Sequence, residues 1–247
     1  TASLTPAGDW PTVKPAAVGL DAGKLAAIAH TAEVGKSNCL AVARDGKLAG
    51  EWYFHGTDPD TTQDVFSVTK SFTSTLVGQQ VDAGKVRIGD PASKWIPEWR
   101  GTPSAGVTVR DLLSNDSGRS WSLAQDYVQL IRAPDKTAFA VGLTQESPPG
   151  TTWAYNNSAI QTLERVLAGT LGPDVVAGAQ RSLLDPIGMT HSHLSADASG
   201  HALTFTGLNT PCRDLLRFGS LLLNHGRWNG EQVVSRRWID QATGRSS

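Results

Sequence analysis

The sequence has few cysteines and no excess of charge of one sign. Its 247 residues include only two cysteines, Cys39 and Cys212, and neither belongs to a CxxC pattern, so a dense disulfide framework is excluded. We expect both cysteines to be buried thiols; the alternative is that they form a disulfide, which their separation in sequence does not decide. Lys plus Arg number 22 against 23 for Asp plus Glu, and no basic cluster stands out. Because phosphate binding needs concentrated Lys and Arg, nucleic acid is not a predicted partner.

Long apolar runs are also absent. The longest candidate, residues 215–223, is interrupted by Arg217, Gly219 and Ser220, so no membrane span is predicted. The chain starts with Thr1 and has no signal-type apolar core. We expect an extracytoplasmic protein, secreted or periplasmic, with a cytoplasmic location left open. A hydrophobic fraction of 39% is nevertheless enough to bury a core.

Predicted strands come first along the chain, and a long middle part rich in helices and loops follows. This order favours an α+β fold over a doubly wound parallel sheet. Asp45-Gly46 predicts a hairpin turn between strands at 39–43 and 48–54. Thr108 and Asp111 predict a capping box, and Asp21 predicts a helix N-cap. Helices are predicted over 24–29, 68–83, 159–169, 173–184 and 214–224.

The first candidate for chemistry is a serine followed three residues later by a lysine. Ser67 stands at the predicted start of a helix, where the helix dipole and backbone N–H groups favour an oxyanion. Lys70 follows one turn later on the same face. This lysine can activate the serine if burial lowers its pKa from about 10.4 toward 7. An ordinary N-cap followed by a solvated lysine fits the same residues.

The second candidate is a tyrosine motif that follows a Pro/Gly loop. Tyr155 can act as a general base when ionised and as a general acid when protonated, and a nearby Lys⁺ would lower its pKa. Asn157 carries an amide that can hold a substrate carbonyl or orient Lys70. Core packing of Tyr155 and helix capping by Asn156 and Asn157 are the alternatives for this segment.

Taken together and in this order, the two motifs resemble those of the class C β-lactamases and their relatives. These relatives include family VIII esterases, D-stereospecific peptidases and 6-aminohexanoate-dimer hydrolases, all within the serine β-lactamase and penicillin-binding-protein superfamily. Residues 66–74 are similar to the family's active-site helix, 42–47 to its first hairpin and 107–114 to its third helix. The resemblance runs from about residue 17 to the end of the chain.

This resemblance implies an antiparallel sheet flanked by helices, joined to a mostly helical lobe. Ser67 would be the nucleophile, Lys70 its activating partner, and Tyr155 the general base and acid. Asn157 matches the family's motif asparagine. The backbone N–H of Ser67 would form half of the oxyanion hole.

The resemblance also implies a division of the chain into three parts. Residues 1–66 would supply an N-terminal arm, a helix and the first strands of an α/β lobe. Residues 67–205 would form the helical lobe, and 206–247 would return to the α/β lobe. The family's third motif, Lys- or His-x-Gly on a strand near the C-terminus, is not found in this sequence. We therefore expect the closing sheet strands to come from a separate C-terminal chain or from further sequence.

The implied reaction is hydrolysis of an ester or amide through a covalent acyl-enzyme on Ser67. The substrate would be a small molecule, either a β-lactam, a short ester or a linear amide, and neither a metal nor an organic cofactor is required. One alternative is a penicillin- or cell-wall-ligand-binding protein of the same fold that is acylated but does not turn over. Another is a relative without covalent chemistry, in which Ser67 is only an N-cap.

A few other positions have more than one interpretation. Trp153 and Trp121 lie near the site motifs in sequence and could line a substrate pocket, with core packing as the alternative. His191 and His193 predict a surface loop, because two histidines without a third ligand do not make a metal site. Glu146 is expected to be a solvated loop carboxylate.

Overall fold

The structure is a computed structural model that describes residues 4–244. The first residues of the predicted arm and the last of the predicted C-terminal part, 1–3 and 245–247, lie outside the described residues. The fold is α+β, as the sequence predicts. Its strands are β1 (Cys39–Arg44), β2 (Lys47–Tyr53), β3 (Gln63–Asp64), β4 (His193–Leu194), β5 (Leu208–Thr210), β6 (Arg227–Trp228) and β7 (Glu231–Gln232).

The helices are mostly short; α1 precedes the first strand, and the others lie in the middle and at the end of the described chain. They are α1 (Ala22–Val34), α2 (Thr69–Asp82), α3 (Val109–Ser114), α4 (Leu130–Arg132), α5 (Lys136–Val141), α6 (Asn157–Gln161), α7 (Leu163–Leu171), α8 (Val175–Ala179), α9 (Cys212–Leu223) and α10 (Arg236–Thr243). Two π-helical segments, Gln125–Gln129 and Gln180–Leu184, precede α4 and follow α8. None of the helices within residues 4–244 is long and apolar enough to cross a bilayer.

The strands form small antiparallel sheets, namely β1 with β2, β5 between β3 and β4, and β6 with β7. The predicted Asp-Gly hairpin joins β1 and β2. Asp45 and Gly46 have φ angles of 51° and 73°, the left-handed values that a two-residue hairpin turn of the primed type requires. The sheet β3-β5-β4 matters most for the site, because β3 leads directly into the turn that carries Ser67.

The predicted helix starts are present, but the helices predicted over 159–169 and 173–184 are divided. The second consists of α8 and the π-helical segment Gln180–Leu184. Asp21 caps α1 by accepting a hydrogen bond from the Lys24 N–H at 2.9 Å. Thr108 and Asp111 form the predicted capping box of α3. The helix predicted over 159–169 is split into α6 and α7 at Thr162, whose hydroxyl donates back to the Ala159 carbonyl at 2.6 Å. Such back-bonding by threonine bends a helix.

The expectation of two buried thiols is wrong. Cys39, at the start of β1, and Cys212, at the start of α9, form a disulfide with a Cα–Cα distance of 6.4 Å. Because α9 packs against β1, two cysteines 173 positions apart in sequence become neighbours. An ion pair between Glu51 of β2 and Arg213 of α9 lies beside this disulfide, since Arg213 directly follows Cys212.

The hydrophobic core lies among the helices and includes residues of α2, the helix that follows Ser67. Phe72 of α2 stacks on Phe218 of α9 with ring centroids 3.8 Å apart. Leu76, two residues of α7 (Leu163 and Leu167) and many other side chains of the same cluster are fully buried. Because α2 is fixed by this packing, the residues at its N-terminus have a rigid base. The lobe boundaries after residues 66 and 205 stay a prediction.

Candidate active site

A strained turn places Ser67 immediately before α2. Phe66 has a φ of 47°, in the left-handed region that costs a non-glycine residue about 1–2 kcal/mol. The Phe66 N–H donates to the Asp64 carboxylate at 2.7 Å, and the Val65 N–H donates to the Leu208 carbonyl at 3.0 Å. The pairing of β3 with β5 thus holds a conformation that the isolated turn would not favour, as is common near functional sites.

Ser67 is not a helix cap. It lies in a 3₁₀ turn, Phe66–Val68, and neither this turn nor α2 has a capping hydrogen bond from a side chain. Its Oγ instead accepts a hydrogen bond from Lys70 Nζ at 2.8 Å. The structure therefore contradicts the reading of Ser67 as an ordinary N-cap.

Lys70 lies among Ser67, Tyr155 and Phe205, of which the sequence predicted the first two. Its Nζ donates to Ser67 Oγ and, at 3.0 Å, to the carbonyl of Phe205. The same atom lies 4.7 Å from the centroid of the Tyr155 ring and 5.7 Å from that of Phe205. Lys70 is thus a half-buried lysine with defined acceptors, and the structure brings it together with Ser67 and Tyr155.

The environment lowers the pKa values of both Lys70 and Tyr155. Burial lowers the pKa of Lys70, and this effect exceeds the opposing influence of Tyr155 and of the Asp126 carboxylate. Burial alone would raise the pKa of Tyr155, but interactions with Lys70 and Ser67 favour the phenolate and bring the net pKa below its usual value. A phenol beside a lysine therefore becomes a better base near neutral pH.

The asparagines of the tyrosine motif have different roles. Asn156 caps α6, because its Oδ1 accepts from the Ala159 N–H at 2.9 Å. Asn157 Oδ1 is buried and has no hydrogen-bond partner within residues 4–244. No hydrogen bond joins the Asn157 amide to Lys70 in this part of the chain, so the orienting role suggested by the sequence is not seen in this geometry.

Asp126 is a site residue that sequence reasoning missed. It is fully buried, and its carboxylate accepts from the Asn157 N–H at 2.6 Å and from the Ser158 hydroxyl at 2.6 Å. It thereby fixes the N-terminus of α6 directly after Tyr155, and its charge acts on both Lys70 and Tyr155. Asp126 precedes the tyrosine by 29 positions and belongs to no recognisable motif, so no local signal points to it.

The tryptophans flank the motifs at the surface. Trp153 is 68% exposed and Trp121 is 37% exposed, which excludes full burial in the core. Tyr155 is 36% exposed and is likewise not a packed core aromatic. These exposed rings are available to a ligand, although no contact of the tryptophans with Ser67 is seen among the described residues.

Glu146 follows the simpler interpretation, and the two histidines lie at the surface as predicted, although His193 begins β4 and is not in a loop. His191 and His193 are exposed, and the ring of His191 lies 4.0 Å from Asp214, whose carboxylate is already bonded to the Ser192 hydroxyl. Glu146 is exposed in its loop.

A different acidic group, Asp135, Asp197 and His201, brings its ligand atoms within 4.8 Å of one another. Asp135 caps α5, and Asp197 accepts backbone N–H groups, including that of Lys136 at 2.8 Å. These bonds give the cluster a structural role.

Comparison with known proteins agrees with the geometry of the site. The family model described as Beta-lactamase matches residues 28–247. The chain belongs to the β-lactamase family. The family resemblance inferred from the motifs of Ser67 and Tyr155 is thereby confirmed at the level of the family, while the roles of the individual residues stay predictions.

The relatives include hydrolases and a penicillin-binding protein. The chain is 24% identical to 6-aminohexanoate-dimer hydrolase of Paenarthrobacter ureafaciens over 223 residues, covering 83% of this chain and 56% of that protein. It is 31% identical to penicillin-binding protein 4 of Amycolatopsis lactamdurans, covering 67% and 46%. The chain thus spans about half the length of these two relatives.

Solved structures show the same fold. A penicillin-binding protein homologue from Pyrococcus abyssi superposes with a TM-score of 0.75 at 20% identity, covering 92% of this chain and 61% of that chain. D-alanine carboxypeptidase AmpC from Burkholderia cenocepacia superposes with a TM-score of 0.64 at 25% identity, covering 82% and 62%. Both similarities agree with the α+β architecture described above.

Proposed function

We propose that this chain carries the acylation machinery of a serine hydrolase that cleaves an ester or an amide through an acyl-enzyme on Ser67. The observation that supports this most directly is the 2.8 Å hydrogen bond from Lys70 Nζ to Ser67 Oγ, with the Tyr155 ring 4.7 Å from the same nitrogen. A nucleophile hydrogen-bonded to a cation, with a base of lowered pKa beside that cation, supplies the components that acyl transfer needs.

The hydrogen bonds of Lys70 suggest how the proton moves. An ammonium has three donors, and Ser67 Oγ and the Phe205 carbonyl accept two of them, which leaves the third for Tyr155. Because Ser67 Oγ accepts from Lys70, its own proton is available to a Tyr155 phenolate. We therefore assign the base to Tyr155 and assign Lys70 to holding the phenolate and Ser67 in place.

The reaction then balances in two steps. Ser67 Oγ bonds to the substrate carbonyl carbon while its proton passes to Tyr155, and the Ser67 N–H is one donor to the oxyanion. Tyr155 gives that proton to the leaving alcohol or amine, which departs and leaves the acyl group on Ser67. A water molecule then bonds to the acyl carbon and loses its proton to Tyr155, and Tyr155 returns that proton to Ser67 Oγ as the bond between Oγ and the acyl carbon breaks, which releases the acid and free Ser67.

The test is the intact mass of the protein after incubation with a fluorophosphonate or a penicillin. We expect a mass increase with the unmodified chain and none with Ser67→Ala. Ser71→Ala is the matched control, because Ser71 is an exposed serine in the first turn of α2, four residues after Ser67. An adduct that survives in Ser67→Ala, or no adduct on folded unmodified protein, would contradict the mechanism.

The lifetime of the adduct distinguishes a hydrolase from a binding protein. Similarity to a penicillin-binding protein at 31% identity favours a second candidate, a protein that is acylated by penicillin or a cell-wall ligand without turning over. Decay of the adduct over minutes would support the hydrolase, and an adduct stable for hours would support the binding protein.

The substrate is proposed only as a class, a small ester or amide. The names of the relatives point to a linear amide or a β-lactam, and a short ester fits the same chemistry. We assign Trp153 to substrate contact because it is 68% exposed and two residues before Tyr155. If it has this role, Trp153→Ala raises KM for the best of these substrates; an unchanged KM would exclude the contact.

A further inference from the structure

Gln161 is a buried polar residue that the proposed mechanism does not use. Its side chain is completely buried at the end of α6, the helix that begins two residues after Tyr155. Its Nε2 donates to the Ala202 carbonyl at 2.8 Å, and its Oε1 accepts from the Thr204 N–H at 3.0 Å. One amide thus holds two backbone groups of a segment about forty residues further along the chain.

The segment that Gln161 holds is the one that supplies the second acceptor of Lys70. We call residues 202–205 the acceptor segment, because the Phe205 carbonyl at its end accepts from Lys70 Nζ at 3.0 Å. On its other side, Thr73 of α2 donates to the Thr204 carbonyl at 2.6 Å. The acceptor segment therefore lies between α6 and α2 and is bonded to both.

We propose that Gln161 is a positioning residue for Lys70, acting through the acceptor segment on the Phe205 carbonyl. This inference rests on the proposed function of Lys70. A carbonyl fixed against an ammonium favours the charged form of the lysine, and a cation at this position favours the Tyr155 phenolate. Buried hydrogen bonds stabilise most when all of their partners are satisfied. The two hydrogen bonds from the Gln161 amide to the acceptor segment therefore hold the Phe205 carbonyl rigidly.

The same helix is then bonded on the side of Tyr155 and on the side of Lys70. The N-terminus of α6 is fixed by Asp126 directly after Tyr155, and its last residue, Gln161, fixes the acceptor of Lys70. A rigid α6 of five residues thus sets the position of Tyr155 relative to Lys70.

The test compares Gln161→Leu with a matched control, Gln79→Leu. Gln79 lies on α2, roughly 13 Å along the helix from Lys70. Its Nε2 also donates to two backbone carbonyls, those of Ser182 and Val233. Each variant loses a side-chain amide that hydrogen-bonds to backbone groups distant in sequence. Only the amide of Gln161 bonds to the acceptor segment.

The primary measurement is the titration of Lys70 by NMR of ¹³C-labelled lysine, with the Lys70 signal assigned by its loss in Lys70→Arg. We expect the midpoint of Lys70 to fall by about one pH unit in Gln161→Leu, a tenfold change in proton affinity, and to stay unchanged in Gln79→Leu. Acylation of Ser67 is expected to slow by about 10²-fold in Gln161→Leu, because a small misplacement of a catalytic group lowers a rate by about this factor.

Thr73→Val gives a second route should Gln161→Leu fail to fold. It removes the bond to the Thr204 carbonyl with almost no change in volume, and a smaller fall of the Lys70 midpoint is expected. An unchanged midpoint in the folded variants, or an equal fall in Gln79→Leu, would overturn the proposal. Failure of the proposed function gives a different result, in which the midpoint responds to Gln161→Leu but the unmodified protein is never acylated.

Discussion

Tyr155 is the residue whose environment bears most directly on chemistry. Its hydroxyl faces a half-buried lysine, and the interactions with Lys70 and Ser67 outweigh burial, so that its pKa is lowered. The phenol is 36% exposed, which means that removing the hydroxyl alone should not damage the fold. The residue can therefore be tested cleanly.

We expect Tyr155→Phe to reduce the acylation rate by about 10²–10⁴-fold, the range for loss of a general acid–base group. Tyr127→Phe is the control, because Tyr127 is 53% exposed in the π-helical segment and has no place in the mechanism. Stopped-flow measurement of acylation checks the rates, and circular dichroism checks the fold. A Tyr155→Phe variant that acylates at the normal rate would transfer the role of base to Lys70.

The pH dependence of the acylation rate follows from the lowered pKa values of Tyr155 and Lys70. The rate should rise as Tyr155 loses its proton, at a pH below the ordinary tyrosine value of 10.0, because the phenolate is the base. It should fall again as Lys70 loses its proton, below the ordinary lysine value of 10.5, because the ammonium holds the phenolate. In Tyr155→Phe the rising limb should disappear from the residual rate.

At the scale of single elements, the helices near the site contain polar residues that cost stability. Glu164 on α7 is 2% exposed, and its Oε2 has no hydrogen-bond partner within residues 4–244. Burial raises its pKa above the ordinary value, although His201 and Arg165 oppose this effect. The folded state therefore binds the proton of Glu164 more tightly than the unfolded chain does.

This difference makes Glu164→Gln a stabilising change at neutral pH. Stability contributed by the neutral carboxyl is present at low pH and is lost as the pH rises from the unfolded pKa through the raised folded pKa. Glutamine keeps the neutral form, so we expect a gain of about 1–3 kcal/mol in the free energy of unfolding at pH 7. The gain should vanish as the pH falls to about 4, where the unfolded carboxyl is itself protonated.

Urea unfolding at several pH values measures this effect. Glu231→Gln serves as the control, since Glu231 is exposed in β7 and should change little at any pH. A Glu164→Gln variant that is less stable than the unmodified chain at pH 7 would show that the carboxylate is charged and usefully paired.

The whole molecule is tied together by the disulfide between Cys39 and Cys212. It joins the first strand of the chain to α9, across a sequence separation of 173. Cross-links that close long loops stabilise mainly by restricting the unfolded chain. A structural disulfide is also compatible with the extracytoplasmic location that we propose.

Replacing both cysteines by serine should lower the free energy of unfolding by about 2–5 kcal/mol. Chemical unfolding under non-reducing conditions measures the loss, and the unmodified protein with added reductant should approach the double variant. Acylation of Ser67 near room temperature should persist in both, because the bridge joins β1 to α9 and, within residues 4–244, no hydrogen bond of Lys70 involves either cysteine. Unaltered stability in the double variant would mean that the bridge adds nothing to the fold.

Much of the fold could be predicted because its signals are local. A two-residue primed hairpin turn requires left-handed φ angles that Asp and Gly adopt readily, and Thr108 with Asp111 satisfies the first N–H groups of a helix wherever that helix lies. Ser67 and Lys70 share a helix face for the same reason, since three residues make nearly one turn. The family and the α+β class therefore followed from patterns that each involve only a few neighbouring residues.

The sequence by itself thus determined the first hairpin, several helix starts, the family and the candidates Ser67, Lys70 and Tyr155. Only the tertiary structure decided which distant groups meet them. Asp126 accepts from the first N–H of α6 across 31 positions, and Phe205 supplies a carbonyl to Lys70 from 135 positions away. The bond between Cys39 and Cys212 likewise depends on where α9 packs. Contacts of this kind leave no periodic or spacing signal, because they are created by packing between elements and by backbone atoms that every residue type carries.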